Sequence, residues 1–339
     1  MAAVQSTTGT SWSLGRINGE TLHKLSALFT LAILIAVFAF GNAAFLSVNN
    51  GLTVLLQTSV IALLGIGMTM VIITGGIDLS VGAVLALSGT ATGMLVKAGV
   101  PVPLGMLAGV GVGALCGLAN GLVITKLKIT PFVATLGMML IARGTALQLT
   151  GAAPISQLGE AFGWLGNGAL WRMVEKLPNG LSRVVFPGIP YPVILLVIIA
   201  LVAAYVLRRR PLGRHLYATG SNEEAARLAG VNVDRTKIAA YMLSGGLAGV
   251  AGNVLMSRLV TAQPNEGVMY ELDAIASAVI GGASLMGGVG TISGTMIGAF
   301  IIGVLRNGLN MAGVSAFIQQ IVIGVVVILA VFIDQLRHR

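Results

Sequence analysis

Five polar side chains in an otherwise apolar chain have the chemistry to hold a hydroxylated solute: Asn120, Asn307 and Asn310, with Gln263 and Glu271. An amide both donates and accepts hydrogen bonds, as a hydroxyl does, and a carboxylate accepts them. Chemistry of other kinds is missing. No serine, cysteine or histidine is spaced as a nucleophile beside a base, so no catalytic residue is expected. No G-x-x-x-x-G-K-[ST] phosphate loop occurs, so this chain is not expected to bind and hydrolyse ATP by itself. His23, His215 and His338 are far apart, and the single cysteine, Cys116, lies in an apolar run. Neither a metal site nor a disulfide nor a cofactor follows from them.

The elements that must position these groups are apolar throughout. Hydrophobic residues make up 56% of the chain and charged residues 9%, with a mean hydropathy of +0.94. Soluble domains carry roughly a quarter charged residues, so this sequence cannot clothe itself for water. Its apolar runs reach the about 17–25 residues that cross a bilayer, and they are too long and uniform for barrel strands. The expected fold class is an all-α polytopic membrane protein with about ten transmembrane helices. These are 25–41, 52–73, 80–97, 102–125, 131–150, 190–207, 238–256, 272–286, 290–306 and 316–333. Glycine-rich flanks mark the third and eighth as short or broken. Residues 1–24 read as a cytoplasmic tail before a retained first span, 25–333 as the transmembrane domain and 334–339 as a second cytoplasmic tail.

The net charge of +9 follows this topology. With both termini inside, thirteen of the twenty lysines and arginines are cytoplasmic, and six, Arg306 among them, fall outside. That excess obeys the positive-inside rule and implies no nucleic-acid partner. Arg143 is the one charge within a span, expected to snorkel or to bond backbone carbonyls. Asp78, Glu271 and Asp273 lie at span edges, so an ion-coupled motor inside the bilayer is not indicated. Two longer polar segments face opposite sides. Residues 151–189 lie outside, where Trp164 and Trp171 suit an interfacial helix, and 208–237 lie inside.

Gly105, Gly109, Gly113, Gly117 and Gly121 share one helix face, which lets a neighbouring backbone approach closely. Gly290, Gly294 and Gly298 repeat the device. The two ladders end alike, in ANGL (119–122) and RNGL (306–309), five spans apart and therefore oppositely directed. This predicts an inverted repeat, with spans 2–5 mirroring spans 7–10, a transporter architecture.

Two polar motifs interrupt the apolar pattern. In ITGGIDLSVGA (73–83), Gly75 and Gly76 permit a tight turn after the second span, and Asp78 or Ser80 caps the third. That structural role is preferred to direct solute contact by Asp78. In GSNEEAARLAGVNVDR (220–235), Ser221 or Asn222 caps a short helix whose first turn carries Glu223 and Glu224. Ala225, Ala226, Leu228 and Ala229 keep it compact, and Gly230 ends it in a left-handed conformation. Such a helix is a candidate docking knob, with Ala226 expected on the face a partner buries.

Together these segments resemble the permease subunit of sugar-type ATP-binding cassette importers, most closely the ribose branch. The likeness runs from about residue 25 to the C-terminus. It is carried by GMTMVIITGGIDLSVGAVLALSG (67–89), PFVATLGMMLIARG (131–144), GSNEEAARLAGVNV (220–233), AQPNEGVMYELDAIASAVIGGASLMGG (262–288) and RNGLN (306–310). The resemblance implies a permease dimer in a bacterial inner membrane, a cytoplasmic ATPase subunit and a periplasmic sugar-binding protein. It also implies that Glu223, Glu224, Ala225, Ala226, Leu228 and Gly230 form the ATPase-coupling segment. The expected function is import of a monosaccharide, ribose first, then inositol or another sugar. The alternative is a stand-alone secondary transporter or facilitator for a small polar solute.

Overall fold

This computed structural model describes residues 19–176 and 182–337. Residues 1–18 of the tail expected over 1–24, Arg16 among them, lie outside the described residues, as do His338 and Arg339, while 19–24 belong to the first helix. Five helices open the chain: α1 (Gly19–Gly41), α2 (Val48–Ile73), α3 (Val81–Lys97), α4 (Val102–Lys126) and α5 (Pro131–Thr150). After α6 (Trp164–Asn167) come four short strands, β1 (Ala169–Leu170), β2 (Met173–Lys176), β3 (Ser182–Phe186) and β4 (Ile189–Pro190). The chain continues through α7 (Tyr191–Arg209), α8 (Pro211–Ser221), α9 (Glu223–Leu228) and α10 (Val233–Leu259). It closes with α11 (Tyr270–Ile280), α12 (Ile292–Met311) and α13 (Ala316–Arg337).

Seven of these helices, α1, α2, α4, α5, α7, α10 and α12, are long and apolar enough to cross a membrane, and α3 and α13 supply shorter apolar stretches. The chain is a multi-pass membrane protein. Local chemistry sets the ends. Proline stands in the first turn of α4, α5, α7 and α8, where its missing N–H removes no helical bond. Ser47, Asn222, Asn232 and Thr291 each accept a backbone N–H at the start of α2, α9, α10 and α12.

Helix α2 is the axis of the bundle. From Thr58 to Ile73 every residue is buried, which suits a helix apolar on all sides. Helices α10, α11 and α12 surround it, with α3 and α4 packed on α10. The outer helices α1, α5, α7 and α13 expose Phe29, Leu140, Leu201 and Ile328, the apolar surface a bilayer or another subunit covers.

Three expectations need correction. The interfacial helix over 151–189 is replaced by the four-residue α6, which starts at Trp164, and two antiparallel ribbons, β1 with β4 and β2 with β3. Trp171 sits in the turn before β2 at φ 57°. The run 292–311 is one helix, so Arg306 lies within α12 rather than outside the spans. The eighth segment is shorter than 272–286: α11 stops at Ile280, and glycine-rich turns follow.

The ladder of α4 faces backbone. A Cβ on Gly113 would lie 3.1 Å from the Gly249 nitrogen and would collide with the Gly245 carbonyl of α10. Gly121 meets Ile238 of the same helix, and Gly105 faces Val96 and Thr92 of α3. Gly111, on another face, has open space. The expected outcome for Gly113→Leu is loss of about 1–3 kcal/mol through overpacking, read as a drop in folded, monodisperse protein after detergent extraction. Gly111→Leu should match the wild type; equal behaviour of the two variants would contradict the packing.

Candidate functional site

Asp78 is 1% exposed and closes the loop between α2 and α3. Its Oδ1 accepts the Ser80 backbone N–H at 3.0 Å and the Ser80 hydroxyl at 2.6 Å. Its Oδ2 accepts the Ser244 hydroxyl of α10 at 3.0 Å. The Asn120 amide of α4 donates to Ser80 Oγ at 2.9 Å. One carboxylate therefore joins the start of α3 to α4 and α10. Ser80 occupies the position before α3 but makes no capping bond with its side chain. Asp78 satisfies the N–H there instead. Gly75 turns the chain at φ +77°, whereas Gly76 is needed because Tyr241 lies where its side chain would be.

Helix α3 begins part-way along the bundle, and so does α11. The first turn of α3 meets the turn-rich segment 262–269 and the start of α11: a Cβ on Gly82 would lie 2.6 Å from Glu271 Oε2. Farther along α3, Gly93 lies beside Ala262 and Leu158, at the end where Ile155 pairs with Ala262. Two short helices thus start face to face inside the protein. Arg143 of α5 fixes this segment by donating to the Pro264 and Glu266 carbonyls at 2.6 and 2.7 Å. Carbonyl bonding was one of the two roles expected for it.

The five candidate solute residues are dispersed. Asn120 serves the Asp78 network, Gln263 lies in the segment between α10 and α11, and Glu271 at the start of α11. Asn307 is 4% exposed, with its Oδ1 unpartnered, and Asn310 is exposed one turn later. Arg143 is not alone among the helices. Arg306 bonds both Asp273 oxygens through Nη2, at 2.9 and 2.7 Å, with the carboxylate 2% exposed. That pair links α12 to the first turn of α11, where a carboxylate also opposes the helix dipole favourably. The sequence signal pointed the other way: the Asn307–Gly308 pair just after Arg306 reads as a turn, yet α12 continues through it to Met311.

At the opposite end, α8 and α9 rest on the bundle. Asn222 caps α9 by accepting the Ala225 N–H at 2.9 Å, and Gly230 follows the helix at φ +84°. Ala226 is 4% exposed and turns into its own chain, whereas Ala225 is exposed and Leu228 is 85% exposed. The outward face is therefore Ala225 and Leu228, not Ala226. Lys237 and Arg227 hold Glu223 at 2.6 and 3.0 Å; Arg227 and Lys126 hold Asp234 at 3.1 and 2.8 Å. Burial pushes the Glu223 carboxyl up, but the bonds from Lys237 and Arg227 outweigh it and leave it below the ordinary carboxylate value. This clamp is in force at neutral pH and is lost as pH falls through that lowered value.

The end of α8 meets two loops in close backbone contact. The Gly288 N–H donates to the Ile73 carbonyl at 2.9 Å, and Gly220 lies against both groups. A Cβ on Gly287 would lie 2.8 Å from the Gly220 carbonyl and 3.0 Å from the Gly75 nitrogen. Tyr217 adds a hydrogen bond to the Gly290 carbonyl at 2.7 Å.

The Asp78 network carries a stability prediction. Asp78→Ala strands one N–H and two hydroxyls at about 1–3 kcal/mol for each buried group, so its thermal midpoint in detergent should fall well below that of Ser244→Ala. Asp78→Asn, which keeps an acceptor, should lie between them. An Asp78→Ala protein that melts with the wild type would refute the network.

Comparison with known proteins places this geometry. Residues 50–331 match the family model described as branched-chain amino acid transport system / permease component. The chain is 42% identical over 321 residues to the ribose import permease protein RbsC of Escherichia coli K12, covering 94% of this chain and 95% of that one. It is 44% identical over 314 residues to RbsC of Bacillus subtilis 168, covering 93% of each. It is 34% identical over 375 residues to the xylose transport system permease protein XylH of Escherichia coli K12, covering 96% and 95%. No solved structure matches. Matched by the family model from the second helix to the last, the chain belongs to this family of transport-system permease components.

Proposed function

We propose that this chain is the membrane subunit of an ATP-binding cassette importer for a monosaccharide, with ribose ahead of xylose, inositol or another sugar. The ribose and xylose permeases it is similar to over nearly their whole length support the substrate class. ATP would be hydrolysed by a separate cytoplasmic ATPase subunit, and sugar would arrive on a periplasmic binding protein. A second permease copy would cover part of the exposed apolar surface.

One observation carries the coupling. Helices α8 and α9 form a knob whose exposed face is Ala225 and Leu228, while its inner side abuts the loops after α2 and α11. Motion imposed on the knob by a soluble motor therefore reaches two breaks in the bundle directly. The stand-alone transporter reading lacks a comparable feature: the buried acids Asp78 and Asp273 are occupied by serines and by Arg306. In this reading the knob end is cytoplasmic, as its cluster of Lys126, Lys128, Arg208, Arg209, Arg210 and Arg214 favours. Both termini are then cytoplasmic in a bacterial inner membrane, 208–237 is the coupling loop and 151–189 is periplasmic.

The reading includes about ten crossings related by an inverted repeat of α2–α5 and α10–α13. Packing supports it: α4 contacts α3 and α10, while α12 contacts α11 and α2, and α5 and α13 flank α3 and α11 in turn. Each half also starts one helix inside the bundle beside a carboxylate, Asp78 in one and Asp273 in the other.

Leu228→Asp and Ala225→Arg alter only the outward face of α9. Membrane abundance should stay near normal, while the co-purifying ATPase subunit and ribose uptake are lost, each by about tenfold or more, as expected when a charge is buried unpaired at an interface. Full ATPase association in both variants would remove the docking role. Gly220→Ala should instead keep the ATPase bound and abolish uptake; uptake at the wild-type rate would show that the backbone contact carries no motion.

A further inference from the structure

At the end of the bundle away from the knob, a cavity of about 260 Å3 opens among α2, α10, α11, α12 and α13. Its polar lining is Gln57, Arg258, Tyr270, Arg306, Asn310 and Gln319, over aliphatic side chains of α2 and α10. The amides of Gln57 and Asn310 have no hydrogen-bond partner among the described residues. Gln319 spends one N–H on the Val314 carbonyl at 2.9 Å, leaving its amide oxygen. Asp273 occupies Arg306 Nη2, and no other carboxylate lines the space, so the cavity disfavours a cation.

Side-chain amides that donate and accept, guanidinium donors, an aromatic ring and an aliphatic floor match a polyol: hydroxyls on its rim, C–H groups on its faces. The volume lies below the roughly 300–1,000 Å3 of ordinary small-ligand clefts, enough for one sugar ring and not for two. A neighbouring cavity of about 270 Å3 shares Arg306 but is lined mainly by Met269, Leu272, Ile275 and Val327, which offer hydroxyls no partner. We propose that the polar cavity is a transient monosaccharide subsite within the permease, in which Gln57, Asn310 and Gln319 exchange hydrogen bonds with the sugar. The Arg306–Asp273 pair positions the guanidinium beside it. The assignment rests on the reading of the chain as a sugar permease. It gives that activity a specificity site in the membrane subunit, additional to the binding protein.

The test uses the complete importer in proteoliposomes, with D-ribose or D-xylose, whichever the wild type carries. Gln57→Ala and Asn310→Ala should each lower the maximal uptake rate about threefold to tenfold, the loss of one or two uncharged hydrogen bonds. Complex assembly and ATPase stimulation by the loaded binding protein should remain. In a Cys116→Ala background, a membrane-impermeant thiol reagent should modify Asn310→Cys more slowly during turnover with sugar than without it. Leu272→Cys, in the apolar cavity, should show no such protection. Normal uptake by both alanine variants, or sugar-independent labelling of Asn310→Cys, overturns the subsite while wild-type uptake upholds the permease reading. A wild-type complex that carries no monosaccharide overturns both.

Discussion

A helix that starts inside an apolar bundle exposes N–H groups that no water can reach, and each must be given an acceptor. The Asp78 carboxylate meets this need at the start of α3 and, with its remaining valences, ties in Ser244 of α10 and, through Ser80, Asn120 of α4. The same constraint recurs at α11, where Asp273 occupies the first turn and is held by Arg306 of α12. Two broken helices can then face each other within the protein, with α2 between the groups of helices that support them.

Close packing follows from this arrangement. Because α3 and α11 are short, turns and loops complete their paths beside their neighbours. Gly82 of α3 opposite Gly267 of one such turn, and Gly113 of α4 opposite Gly245 of α10, let backbones meet without side chains between them. Arg143 then bonds two carbonyls that the turns would otherwise leave bare. Packing and polar satisfaction are one problem here, solved by glycine on one side and by a few fixed charges on the other.

Much of this was legible in the sequence. The four-residue glycine spacing marked the packed face of α4, and the glycine flanks of the third and eighth segments announced α3 and α11 as short. The acidic first turn before Gly230 marked α9. What the sequence hid depends on three-dimensional direction. Ala226 and Ala225 are chemically identical, and only the seating of α9 decides which one faces out. Arg306 read as an exterior charge because its partner, Asp273, lies 33 residues away in sequence. The hairpins between α6 and α7 were missed because amphipathic tryptophans suit either an interfacial helix or a ribbon. The candidate solute residues were chosen by type and by their place at ladder-helix ends or an outer edge; of the five, Asn310 lies on a cavity, while Asn120 is committed to the Ser80 hydroxyl.

The contact of Gly220 with Ile73 and Gly288 has a mechanical meaning. Side chains cushion most helix contacts, since a rotamer change can absorb a small displacement. Here peptide groups touch directly, and peptide groups have no rotamers. The junction is therefore stiff in compression, and travel at α9 must reappear as travel of the α2 and α11 ends rather than vanish into soft degrees of freedom. A linkage without backlash suits a machine whose engine and channel are separate polypeptides.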